Sequence, residues 1–281
     1  MKTALYVPGS SARMVEKSRA VDADIVILDL EDAVSENEKE GARARVVAEL
    51  ARPAAVRRWV RINPVDSPHH LPDLDAVAPA RPDAILLAKA EPSSLAALDA
   101  HLDSLGADAA GVPVVALVET SVGLFEIAAL CRSSTRLIGL QLGAEDLTAE
   151  LGVERTSGGE EIRHARHQLA LAAHAHGLLA IDTPQLAIGR DDVLQADLAT
   201  ARSCGMTVKT CIHPSQLAVV ASWSRPTDDE LAQAERVIAA ARAAAEAGRG
   251  AAALDGQMID APVVARARRI VAARQTTPTP V

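Results

Sequence analysis

Aromatic residues are nearly missing from this chain, with two Trp, one Tyr and one Phe in 281 residues. Single-stranded nucleic acids are held by stacking bases on aromatic side chains, so that class of binding is not expected. Positive charge is also in short supply. Lys and Arg total 29 against 37 Asp and Glu, a formal charge of −8. This argues against a general polyanion-binding surface and leaves room for a local basic pocket. Cysteine is sparse and odd in number (Cys131, Cys204 and Cys211), without a C-x-x-C pair. A reducing compartment, the cytoplasm, is therefore expected. No apolar run approaches the roughly 20 residues that span a bilayer. The opening MKTALYVPGSSARM is too short in its apolar part for a signal peptide. Neither a nucleic acid nor a membrane is expected as partner. There is no G-x-G-x-x-G after the first strand, no G-x-x-x-x-G-K-[ST] and no G-x-S-x-G elbow, which points away from dinucleotide, P-loop and serine-hydrolase sites.

What the chain has is a large aliphatic core, with 49% apolar residues. Short apolar runs recur at Ala4–Val7, Asp24–Leu28, Arg58–Ile62, Ala84–Leu87, Val114–Val118, Leu137–Leu142, Leu178–Ile181 and Thr207–Ile212. They are mostly continuous rather than alternating, as in parallel strands covered on both faces. Helical stretches are expected between them at Ser11–Ala20, Glu36–Ala51, Ser93–Ser104, Ser121–Leu130, Gly159–His176 and Asp191–Ser203, with Ser10 or Ser11, Ser35 and Ser93 as caps. Pro64–Pro79 is only weakly helical. Eight βα alternations predict an α/β fold, a (β/α)8 TIM barrel, with a doubly wound open sheet as the competing arrangement. The pattern changes after Pro226, where a Thr227–Gly248 helix, a Gly-rich loop and a Pro262–Arg274 helix precede a frayed QTTPTPV tail. Residues 1–225 are expected to form the barrel and 226–281 a C-terminal helical extension.

In such barrels the active site lies where strands end and βα loops begin. Asp29, Glu31, Asp32, Arg61, Lys89, Glu119, Glu145, Asp146, Asp182, Lys209 and His213 are all placed there by the pattern. Glu119 in VALVETSVGL and Asp146 in LQLGAEDLTAELG each follow a buried strand and have small neighbours. Two carboxylates with few other protein ligands suit Mg²⁺, which keeps several waters and completes its octahedron from substrate oxygens. Glu31 and Asp32 either hydrogen-bond water on that metal or pair with Lys39 or Arg43. Arg61 either reads a substrate carboxylate with its planar fork or forms an internal salt bridge to Glu31 or Asp29. Arg13 and Lys17, one helical turn apart behind PGSS, either bind phosphate or are solvated. The histidines of the Gly159–His176 stretch read as a partly exposed helix face.

Taken together, LYVPGSSARM, ADIVILDLEDAV, RIN, VETSVGL, GAEDLTAELG, IDTP, KTCIHPSQ and GQMIDAP resemble the citrate lyase β-subunit (CitE-like) family of the aldolase/citrate lyase superfamily, which includes the malyl-CoA lyases. The resemblance runs in order from about Thr3 to Pro262, and departs from the usual Gly-Lys at Val208-Lys209. It implies a (β/α)8 barrel that binds Mg²⁺, or Mn²⁺ in its place, and cleaves or forms 3-hydroxyacyl-CoA thioesters. It implies Glu119 and Asp146 as metal ligands, Arg61 in contact with the oxo-acid substrate, and Arg13 and Lys17 near the CoA pocket; Glu31 and Asp32, from their place at the rim, are expected to join Arg61 in the catalytic set. It also implies that Asp260 reaches a neighbouring subunit's site as an acid/base, in a homotrimer or hexamer. The implied reaction is retro-Claisen cleavage of a malyl-, citramalyl- or citryl-CoA type thioester to an acyl-CoA and a 2-oxo acid. A malyl-CoA-type thioesterase and a carrier-dependent, non-catalytic lyase subunit are the alternatives.

Overall fold

A computed structural model describes residues 1–275 apart from 224 and 249. The chain divides into two compact units, Met1–Ala221 and Ser222–Val281.

In the first unit, β1 (Lys2–Pro8), β2 (Ile25–Asp29), β3 (Arg57–Ile62), β4 (Ala84–Leu87), β5 (Val114–Val118), β6 (Leu137–Leu142), β7 (Leu179–Asp182) and β8 (Val208–Cys211) close into one barrel in sequence order. Every pairing is parallel, including the closure of β8 on β1 through Lys2↔Val208 and Leu5↔Cys211. The strands lie within two to three residues of the apolar runs in the sequence. Their continuous apolar character has the expected cause, since every residue of β2, β4, β5 and β8 is buried. Alternate residues fill the barrel interior, including Ala4, Ile25, Ile27, Trp59, Leu86, Val115, Leu117, Ile181 and Val208. Val208 is thus a packed core residue of β8, where a β-branched side chain suits the extended backbone.

The helices depart from expectation in detail. The stretch after β5 is two short helices, Ser121–Phe125 and Ile127–Leu130, broken at Glu126. Pro64–Pro79 contains a true helix, His70–Val77. Ser11 caps the first helix through Met14 N–H. The helix Pro92–Ser104 is capped by Glu91 with Ser94 in a reciprocal box rather than by Ser93; Pro92 at the first helical position fixes that start. Among the described residues, no helix is long and apolar enough to cross a membrane.

The second unit packs helix Asp228–Glu246 against helix Ala261–Gln275. Between them, the segment expected to be a Gly-rich loop is a β-hairpin, Ala252–Leu254 with Gln257–Ile259. Asp255 and Gly256 turn it with positive φ of 52° and 76°, as a two-residue Asp-Gly turn requires. The tail expected to fray lies beyond the described residues from 276 onward.

Candidate active site

The carboxyl ends of the barrel strands gather an acidic cluster around one arginine. Arg61, on β3, donates from Nε to Asp29 Oδ1 at 2.7 Å and from Nη2 to Asp29 Oδ2 at 2.6 Å. Its Nη1 meets Glu31 Oε2 at 2.8 Å and Asp32 Oδ2 at 3.0 Å. Three of the five guanidinium donors are therefore hydrogen-bonded to this chain's own carboxylates, and Glu31 adds an ion pair. The internal salt bridge is realised, and the fork that would read a substrate carboxylate is filled by Asp29. Burial works against the Arg61 charge, but Asp29 and its neighbours hold the guanidinium fully protonated. Burial pushes the Glu31 carboxyl up to about 7, with Arg61 opposing and Asp32 adding to the rise. Lys39 does not pair with these acids. Its Nζ donates to the carbonyls of Leu30 and Glu31 and to Asn63 Oδ1, each at 2.8 Å, and so pins the loop that carries them. Arg43 pairs with Asp73 instead.

Glu119 follows β5 directly and is 3% exposed. Its Oε1 accepts the main-chain N–H of Lys89 at 2.8 Å. Its other oxygen lies against Gly143, where a methyl group would collide with the carboxylate. Burial pushes the Glu119 carboxyl up to about 8; the Lys89 N–H opposes the shift and Asp146 adds to it. Asp146 sits in the first turn of helix Ala144–Leu151, which begins right after Gly143. Both carboxylates line a cavity of about 350 Å³ with Tyr6, Arg61, Leu117 and Gln141.

A second cavity, of about 440 Å³, opens beside the first and shares Tyr6 and Ile212 with it. Arg13 and Lys17 line it, with Met14, His213 and Pro214. The structure thus brings Glu119, Asp146, Arg61 and Asp32 to one cavity, with Glu31 bonded beneath through Arg61, and Arg13 and Lys17 to its neighbour. Asp260 belongs to the second unit, where its Oδ1 accepts from Val263 N–H at the start of the last helix.

Two charges expected at this rim turn away from it. Asp182 and Lys209 are both fully buried on the helix side of β7 and β8, where Lys209 Nζ meets Asp182 at 2.6 Å. Arg166 and Asp197, from the helices Arg163–Ala175 and Asp191–Cys204, complete a four-residue ion cluster. Period-2 alternation decides this, because the neighbours Ile181 and Val208 take the inward positions.

The profile of the HpcH/HpaI aldolase/citrate lyase family matches residues 2–214. The chain belongs to this family. It is a lyase family, and the barrel with acidic residues at its carboxyl end is in keeping with it. The β subunit of citrate lyase from Haemophilus influenzae is 33% identical over 277 residues, covering 96% of this chain and 95% of that protein. A (3S)-malyl-CoA thioesterase from Cereibacter sphaeroides is 35% identical, covering 98% and 93%. The crystal structure of CitE from Mycobacterium tuberculosis with magnesium, acetoacetate and coenzyme A matches with a TM-score of 0.85, 35% identity and 98% of each chain covered. The citrate lyase β subunit of the same organism, complexed with oxaloacetate and magnesium, matches with a TM-score of 0.68 at 35% identity over 80% of this chain.

The residues present fit the magnesium of those relatives. Among the described residues no group of three or more His, Cys, Asp or Glu is arranged for a metal. The pair Glu119 and Asp146 offers only oxygens beside an open cavity, the donor set of a cation that keeps its waters.

The sequence reading passed over two residues of this site, Tyr6 and Gln141. Tyr6 reaches the hydroxyl end of its ring to the Gln141 amide, and Arg61 stacks on the ring at 5.0 Å. The signals were the single Tyr of the chain and a lone Gln in the apolar run LIGLQL. Lys89 was placed at the rim, but its main-chain bond to Glu119 follows from a left-handed turn (φ 49°) that no residue type announces.

Proposed function

We propose that this protein is a Mg²⁺-dependent carbon–carbon lyase acting on a 3-hydroxyacyl-CoA thioester of malyl-, citramalyl- or citryl-CoA type. The observation that carries the proposal is the placement of Glu119, buried with one oxygen tied to Lys89 N–H and the other turned to the Gly143 side, in a cavity shared with Asp146. A divalent cation bound there supplies Lewis-acid polarisation of the substrate's hydroxyl and developing oxo oxygen.

The chain's own residues do the rest. Glu119, fixed by Lys89 N–H, and Asp146, open to the cavity, would hold the cation. Arg61 keeps a permanent positive charge beside the developing oxyanion, anchored by Asp29, Glu31 and Asp32. Arg13 and Lys17 take the phosphates of the CoA moiety in the adjoining cavity, and Tyr6, common to both cavities, lies on the wall between acid and thioester. The substrate hydroxyl gives its proton to the Asp32 carboxylate, which lines the same cavity, and the C–C bond breaks to leave a 2-oxo acid and a thioester enolate. Asp260 of a neighbouring subunit, in a homotrimer or hexamer, protonates the enolate carbon to release acyl-CoA. Run backwards, the same groups condense an acyl-CoA with an oxo acid.

The thioesterase relatives at 35% identity favour a second reading, in which water enters the same site and cleaves the thioester. One experiment separates the two. Malyl-, citramalyl-, methylmalyl- and citryl-CoA are incubated with the protein and Mg²⁺, and free thiol and acyl-CoA are followed together. Lyase activity gives acyl-CoA and oxo acid without thiol; hydrolysis gives CoA thiol and the free hydroxy acid. Absence of both products with all four esters removes the enzymatic reading.

A further inference from the structure

One residue touches both carboxylates of the candidate metal site. Lys89 follows β4 with φ 49°, a left-handed backbone that a non-glycine residue adopts at a cost. The turn aims its N–H at Glu119 Oε1, 2.8 Å away. The side chain of the same residue sends Nζ to 3.9 Å from Asp146 Oδ1. The two side chains of that contact are 43% and 42% exposed, so the pair is solvated and loosely held.

These contacts work in opposite directions on a cation. The main-chain N–H fixes Glu119 by one oxygen and leaves the other facing Gly143 and the helix that carries Asp146. The ammonium lies against the carboxylate that a divalent ion would need. Positive charge already seated at Asp146 must be displaced, or kept close against repulsion, when a cation arrives.

We propose that Lys89 is a positioning residue of the Glu119–Asp146 site with two separable parts: a strained main-chain amide that presets Glu119, and an ammonium that competes with the divalent cation for Asp146. This rests on the metal-site reading above. The competition sets a threshold for cation binding, so that the free protein takes up the ion more weakly than its two carboxylates alone would allow.

The test is Mn²⁺ binding to the substrate-free protein, read by electron paramagnetic resonance of the free ion. Wild type is compared with Lys89→Met, Lys89→Gly and Glu119→Gln. Lys89→Met removes the charge and keeps a side chain of similar length. It is expected to bind Mn²⁺ about fivefold more tightly, the scale of one solvated unit charge a few ångströms from a dication, with the gap narrowing in 1 M salt. Lys89→Gly also removes the charge, accepts the left-handed turn freely, and is expected to show the same tightening with a raised melting temperature. General damage to the site would only weaken binding, so tightening is diagnostic. Unchanged or weaker Mn²⁺ affinity in both Lys89 variants, with wild type binding and Glu119→Gln not binding, overturns the competition while the metal site stands. Failure of wild type itself to bind Mn²⁺ overturns the metal site and this inference with it.

Discussion

Asp29 and Arg61 meet edge to edge, with Oδ1 and Oδ2 accepting from Nε and Nη2 at 2.7 and 2.6 Å. Asp29 also accepts the N–H groups of Glu31 and Ala33, so one carboxylate fixes both the guanidinium and the loop after β2. Arg61→Lys keeps the charge but cannot fill this fork. It is expected to lower kcat/KM by about 100-fold, because the charge is then no longer held by Asp29 at its fixed place beside the developing oxyanion. Asp29→Asn is expected to cost about 3–5 kcal/mol in urea unfolding, as for a buried pair broken from one side. Steady-state kinetics and urea titration check the two variants.

Glu119→Gln preserves shape and the acceptor for Lys89 N–H but removes the charge. The fold is expected to hold by circular dichroism while Mg²⁺-dependent turnover falls by at least about 1,000-fold, the scale of a lost charge at a reacting centre. Equal turnover with and without Mg²⁺ in the wild type would contradict this.

Gly143 tests the same carboxylate from the other side. Its backbone (φ −100°, ψ 92°) is open to any residue, so the demand is for space, and an added Cβ would sit 2.5 Å from Glu119 Cβ. Gly143→Ala is expected to push Glu119 aside at a cost of about 1–3 kcal/mol from overpacking and to weaken Mg²⁺ binding, measured by calorimetric titration.

The barrel was legible because parallel strands with both faces covered leave continuous apolar runs, and all eight are found where those runs lie. The positions of Glu119 and Asp146 were legible too, as acids placed just beyond a buried strand and brought to one cavity. What a carboxylate faces was harder to read. Asp182 and Lys209 stand at strand ends like Asp29 and Arg61, yet a one-residue step in the alternation turns them outward into the Arg166–Asp197 cluster. The hairpin at Asp255-Gly256 carried its turn signal in plain view, but an Ala-rich flank hid the strands. The salt bridge of Arg61 to Asp29 and Glu31 was one of two readings of the sequence, while its third partner, Asp32, depends on a loop pinned by Lys39, whose bonds go to carbonyls and leave no pattern in the sequence.

The buried cluster gives a pH dependence. Burial alone would raise the Asp197 carboxyl, but Lys209 and Arg166 outweigh it and hold it below its ordinary value of 3.8. A carboxyl lowered on folding adds stability that is present above its unfolded value and lost as pH falls through the lower folded one. Asp197→Asn is therefore expected to be less stable than wild type near neutrality, with the gap closing below about pH 4, the ordinary carboxylate value. Urea unfolding at a series of pH values reads this directly; a gap independent of pH would show that the charge is not what Asp197 contributes.

The cation site itself is tested most directly by diffraction from crystals grown with Mn²⁺ and oxaloacetate, using the anomalous signal of the metal. The expected map has one strong peak within coordination distance of Glu119 and Asp146, absent in Glu119→Gln crystals. A map with the ion elsewhere, or with no peak between these two side chains, would contradict the account.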